Sequence, residues 1–158
     1  MPEATASEEE RAMRILIISD IHANPWALEA VAKAAHPFDH IICAGDVTNY
    51  GPEPHLTIDW MREHEVITVR GNHDHAVAHG ADPKASPSKR TLALSMRDWT
   101  REQLDAGDVN YLIRLPLSLT WEIDRTRFFL VHGTPQDPLY DYRLVPGLSE
   151  ASLVEALE

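Results

Sequence analysis

The chain holds a single cysteine, Cys43, so no internal disulfide can staple it, a usage that suits a reducing cytoplasm. It has no apolar run of membrane-spanning length. The longest clean one, Ile15 to Ile18, is the size of a β-strand. The segment before that run is acidic rather than basic and does not read as a secretory signal. Basic residues are scarce as well: 14 Lys and Arg stand against 25 Asp and Glu, a formal net charge of −11. Such a surface repels nucleic acid and anionic membranes, and neither is expected as a partner. For a phosphate-bearing ligand to approach, something local must reverse the sign, and bound divalent cations would do so. Taken alone, the acidic balance does no more than keep a protein soluble.

What is present is an ordinary globular composition, 44% hydrophobic over 158 residues, enough for one domain with a substantial core. Pro2 to Ala12 are polar, acidic and aperiodic and read as a disordered extension spanning 1–12, so that the ordered domain occupies 13–158. Short β-branched runs at Arg14 to Ser19, His40 to Ala44 and Val66 to Arg70 read as strands covered on both faces. Between them, Asn24-Pro25 is an N-cap followed by proline at the first helical position, with Leu28, Val31, Ala32 and Ala35 on one face. Leu56, Trp60 and Met61 suggest a second helix after Pro54, and Leu92, Met96, Trp99 and Leu104 a third. Leu117, Leu119, Trp121 and Ile123 alternate with polar residues, and Thr126 to Val131 returns as the hairpin partner. Ser149 reads as the cap of a last helix. The alternation of strand and helix implies an α/β fold with a parallel first sheet, and the hairpin belongs to a second sheet or an antiparallel edge.

Chemistry gathers where the strands stop. Asp20-Ile21-His22 follows the first, Gly45-Asp46 the second, Gly71-Asn72-His73-Asp74 the third, and His132-Gly133 the hairpin. Singly, each has a bland explanation: a polar loop start, a turn, a helix cap. Ligands in open α/β sheets collect at the carboxyl ends of parallel strands, and four such coincidences point to one metal centre. Carboxylates, imidazoles and an amide oxygen suit Mn²⁺, Fe²⁺, Zn²⁺ or Ni²⁺. One bridging carboxylate can hold two such ions about 3.5–4 Å apart, in the arrangement that activates a hydroxide for attack on phosphorus.

The succession D-x-H, G-D, G-N-H-D and a later H resembles the calcineurin-like metallophosphoesterases, and SDIHANPWALEAV and GDVTNYGPEP are most similar to their small bacterial and archaeal phosphodiesterase-like branch. The resemblance runs from about Met13 to Leu148. It implies a four-layer α/β/β/α sandwich, here incomplete, and two divalent metal ions. Asp20 and His22 would hold the first ion, Asp46 would bridge, and Asn72 and His132 would hold the second. His73 would be the catalytic histidine, protonating the leaving oxygen, and Asp74 would support the turn. Asn49 and Tyr50 stand where the protein-phosphatase branch carries an acid and an arginine after its G-D, which favours phosphodiesters or small phosphomonoesters as substrate. The family's G-H-x-H motif does not occur in the chain, so each ion is expected to lack one protein ligand and the second sheet some of its strands. An exposed edge left in that way makes a homo-oligomer an expectation. A different class of reading, a metallophosphoesterase-like scaffold that binds a protein partner after catalysis is impaired, would explain a missing motif but not an intact D-x-H and His73. His36, His40, His55, His64, His75 and His79 match no motif position and read as surface or loop residues; Cys43 reads as a buried structural thiol.

Overall fold

Two sheets of different kinds hold the chain together, and their difference follows from the two hydrophobic patterns. The computed structural model describes residues 13–123 and 125–157; the extension expected over 1–12 lies outside them. The continuous apolar runs become β1 (Ile15–Ile18), β2 (His40–Cys43) and β3 (Ile67–Thr68), which pair in parallel in that order, with Ile15 opposite His40 and Ile42 opposite Ile67. The alternating runs become β4 (Ser118–Ile123) and β5 (Thr126–Val131), an antiparallel pair with Leu119 opposite Leu130 and Trp121 opposite Phe128. Six helices complete the described chain: α1 (Pro25–Ala35), α2 (Pro54–Glu63), α3 (Asn72–His79), α4 (Arg90–Gln103), α5 (Ala106–Arg114) and α6 (Glu150–Leu157). None is long and apolar enough to cross a membrane.

The strand period of two divides the core. Ile41 and Cys43 look toward the helices, where they join Leu28, Ile58, Met61 and Leu112. Ile42 and Val69 look the other way and meet Leu130, with Leu119 and Trp121 alongside. Helices, parallel sheet and hairpin sheet therefore stack as α, β and β layers, the mixed α/β architecture expected. The outer face of the hairpin is open among the described residues, with Phe129 54% exposed.

Local signals account for most helix starts. Asn24 Oδ1 accepts from the Ala27 amide and Pro25 opens α1; Ser149 Oγ accepts from the Ser152 amide ahead of α6. Two expectations are corrected, and one helix is new. β1, an edge strand of its sheet, is not covered on both faces, since Ile17 is 62% exposed. Val31 lies outside the buried face of α1, which Leu28 and Ala32 define. α5 was not anticipated, although Asp105 and Asp108 form a reciprocal capping box at its start and its Leu112 is fully buried.

Candidate metal centre

The loops that leave β1 and β2 are held to one another like an irregular continuation of the ladder. The Asp20, His22 and Ala23 amides donate to the carbonyls of Gly45, Asp46 and Val47 at 3.1, 3.0 and 2.8 Å. This register requires unusual backbone: Asp20, His22, Ala23, Asp46, Asn49 and Tyr50 all take positive φ, six of the nine such non-glycine residues among those described. Left-handed conformations cost of order 1–3 kcal/mol each and persist only where the surroundings over-determine them. The third loop is tied in by Asp74, fully buried, whose carboxylate accepts from the amides of Val47, Thr48 and Gly71 and from Thr48 Oγ1. Asp74 thus fastens the turn it was expected to support, and also clamps the second loop to the third. Gly71 is indispensable to that approach, since a Cβ there would lie 2.0 Å from Asp46 Oδ1. α3 then starts at Asn72, so the G-N-H-D segment is a helix start as well as part of the site.

The five expected ligands come together. Asp20, His22 and Asp46 each offer an atom within 4.8 Å of the others; His22 Nε2 is 3.8 Å from Asp20 Oδ1 and 3.9 Å from Asp46 Oδ2. On the other side of Asp46, His132 Nε2 lies 3.5 Å from Asp46 Oδ2 and 2.9 Å from Asn72 Oδ1. Asp46 Oδ2 faces both groups, while its Oδ1 accepts from the His73 amide at 2.9 Å.

Backbone carbonyls decide which atoms turn inward. His22 Nδ1 is 3.1 Å from the Thr48 carbonyl and His132 Nδ1 is 2.8 Å from the Ala44 carbonyl. A carbonyl only accepts, so each Nδ1 carries the proton and each Nε2 presents its lone pair to the site. The Asn72 amide is oriented likewise: its Nδ2 donates to the Pro83 carbonyl at 2.7 Å, which turns Oδ1 toward His132. Lone pairs of Asn72 Oδ1, His132 Nε2 and Asp46 Oδ2 consequently confront one another at 2.9–3.5 Å. Among the described residues no lysine or arginine pairs with Asp20 or Asp46. Burial, then the neighbouring Asp74 and, further down, Asp20, push the Asp46 carboxyl well above the usual carboxylate range. A donor set so composed fits divalent cations, which would remove both the repulsion and the cost of burying the carboxylate.

His73 stands beside this group, T-shaped to the His22 ring at 5.1 Å and tilted against Tyr50 at 4.7 Å. Burial, and then the His22 and His132 imidazoles, bring it down to about 4. The residues that sequence reasoning missed are those that set orientation, namely the carbonyls of Ala44, Thr48 and Pro83, for which no local signal exists. Also missed was a second cluster of His55, Asp59 and Asp108 on α2 and α5, of which only the i, i+4 spacing of His55 and Asp59 was readable. Cys43 is buried as expected, and burial pushes its thiol up.

The Calcineurin-like phosphoesterase family profile matches residues 13–151. A metallophosphoesterase from Sphaerobacter thermophilus is 40% identical, with a TM-score of 0.66 over 83% of this chain and 51% of that one. An uncharacterized protein of Methanocaldococcus jannaschii, MJ0912, is 28% identical over 131 residues, 81% of this chain and 53% of its own. A hypothetical protein, PH1004 from Pyrococcus horikoshii, is 19% identical and shares the fold at a TM-score of 0.72, covering 92% of this chain and 64% of that one. The chain spans about half the length of the first two.

Proposed function

Because the chain belongs to the calcineurin-like phosphoesterase family, we propose that it is part of a hydrolase that cleaves phosphodiesters or small phosphomonoesters with two divalent cations. The carrying observation is the inward convergence of lone pairs on either side of Asp46, with no cationic side chain among the described residues to balance them. In this reading Asp20 and His22 would hold one cation and Asn72 and His132 the other, with Asp46 available to both. When bound, the two ions would supply the positive charge that draws a phosphate into an acidic protein, activate water and stabilise charge on the phosphoryl oxygens.

The side chains have distinct tasks. Thr48 and Ala44, through their carbonyls, keep the His22 and His132 rings turned so that Nε2 faces inward. Asp74 holds the loops of Asp46 and Asn72 in mutual register. His73 faces the oxygen that leaves phosphorus, to which its ring N–H donates. The absence of an arginine at the position of Tyr50 supports the phosphodiester-type branch over a phosphoprotein phosphatase.

The test is hydrolysis of a bis-aryl phosphodiester by the purified protein with added Mn²⁺. Turnover is expected with Mn²⁺ and none after EDTA, and His73→Ala lowers kcat by about 10²–10⁴-fold. Turnover indifferent to chelator, or a His73→Ala variant as fast as the parent, contradicts the reading.

A further inference from the structure

His73 is the site histidine whose Nδ1 meets no backbone carbonyl. Its Nδ1 lies 2.8 Å from Asn49 Nδ2, and Asn49 is completely buried. From this contact we propose that Asn49 is a positioning residue, which keeps the proton of the neutral His73 ring on Nε2, toward the substrate.

The orientation of the Asn49 amide is what carries the assignment. Its Oδ1 accepts from the Tyr50 amide at 2.8 Å, and its Nδ2 reaches the Ala93 carbonyl at 3.3 Å. Both neighbours are backbone groups that can play one role each: the amide only donates and the carbonyl only accepts. Flipping Asn49 would set its carbonyl against that of Ala93 and leave the Tyr50 N–H facing an NH₂ group. The group that meets His73 Nδ1 is therefore an N–H donor, and Nδ1 must answer with a lone pair. A neutral imidazole has one proton, so it sits on Nε2.

Two further observations bear on the same point. Among the described residues His73 Nε2 has no hydrogen-bond partner, yet it is not among the sealed polar atoms, so it keeps some access to solvent. Asn49 and Tyr50 both hold left-handed backbone, at φ 73° and 64°, which aims the Asn49 amide inward and lays the Tyr50 ring against His22 and His73. Asparagine tolerates that conformation well and tyrosine poorly. The pair is thus strained into a geometry whose product is a fixed His73 ring. The three histidines of the site are sorted by what meets Nδ1. Carbonyls make His22 and His132 present lone pairs, and an amide N–H makes His73 present a donor.

The assignment deepens the reading of His73 given above and rests on it only for the catalytic consequence, so the tautomer is measured separately from turnover. Long-range ¹H–¹⁵N spectra of the metal-free, ¹⁵N-labelled protein at about pH 8, where imidazoles are neutral, report which ring nitrogen is protonated. The His73→Gln variant identifies the signal by its loss. The expected result for the parent is an unprotonated Nδ1 and a protonated Nε2; a protonated Nδ1 overturns the proposal, and needs no variant to fold. Asn49→Asp, nearly isosteric and at home in left-handed backbone, should move the proton to Nδ1, and Asn49→Ala should give a mixture of tautomers. If both variants keep the parent's single tautomer, Asn49 does not set it. In the Mn²⁺ assay Asn49→Ala should lower kcat about a hundredfold with KM nearly unchanged, whereas a loss confined to KM contradicts a positioning role. Should the parent show no turnover at all, the functional reading fails while the tautomer result stands on its own.

Discussion

Among the described residues two clusters of histidine and aspartate stand out, and only one resembles a place for metal. His55, Asp59 and Asp108 bring ligand atoms as close together as do Asp20, His22 and Asp46. In the first, however, Arg62 lies between the acids, its Nη1 2.9 Å from both Asp59 Oδ1 and Asp108 Oδ1. The other Asp108 oxygen takes His55 Nδ1 at 2.7 Å, and the Asp108 interaction, with Asp59 adding to it, raises the His55 pKa. Every negative charge there has a cationic or N–H partner, and the cluster fastens α2 to the start of α5. At the strand ends no lysine or arginine among the described residues meets Asp20 or Asp46, and two imidazoles present lone pairs rather than N–H groups. Proximity of ligand types is therefore a poor criterion for a metal centre. The charge and the lone pairs left unbalanced after all protein partners are counted make a better one.

The sharpest way to break this comparison is Asp46→Asn. It keeps the acceptor for the His73 amide but removes the bridging charge, so Mn²⁺ affinity, read by calorimetry, should fall at least about a hundredfold. The sign for the metal-free protein is opposite. A carboxyl whose folded pKa is raised above its unfolded value destabilises the ionised protein at neutral pH, so Asp46→Asn should raise the metal-free melting temperature. An unchanged affinity, or a lowered melting temperature, would remove the distinction between the clusters. Gly71→Ala comes next, because its Cβ would press on Asp46 Oδ1. It should lose metal affinity and stability together, by about 2 kcal/mol or more in urea unfolding.

Arg62→Met tests the other cluster. Asp108 is 1% exposed and would lose one of its partners while retaining His55, so a cost of about 1–2 kcal/mol is expected. That is less than for a fully sealed pair, because Arg62 itself is partly exposed. Mn²⁺ stoichiometry should not change; a bound ion that disappears with Arg62→Met, or appears with it, would show that the second cluster also takes metal. The smallest effect belongs to His55→Gln. The folded pKa of His55 lies above 6.5, so its contribution is fully present below pH 6.5 and fades as pH rises through the folded value. The variant should melt lower than the parent at pH 6 and together with it at pH 9. A difference that persists at pH 9 would mean that His55 stabilises by packing and not by charge.

Much of this was readable from the amino acids. Asn24 and Ser149 announce their helices because a cap acts within one turn of chain. The parallel and antiparallel strands announce themselves by continuous and alternating apolar residues, and the strand-end motifs announce the site. α5 went unread because its start is two aspartates whose capping is reciprocal, and because Leu112 is the one apolar residue of the helix that is buried. The helix after Pro54 was legible, but not which of its residues are buried: Thr57, Ile58 and Met61 are, and Leu56 is exposed.

By itself, then, the order of residues determined which side chains would stand at the ends of the strands, since sheet and helix periods are short-range and each motif directly follows its strand. Tertiary structure alone decided what those side chains present. The rings of His22, His132 and His73 are turned by partners 26, 88 and 24 residues away in the chain, Thr48, Ala44 and Asn49. Arg62 neutralises one cluster across 46 residues and leaves the other untouched. A hydrogen bond fixes a tautomer only through the direction and distance of its partner. Those are set by how the loops pack, and no local pattern encodes them.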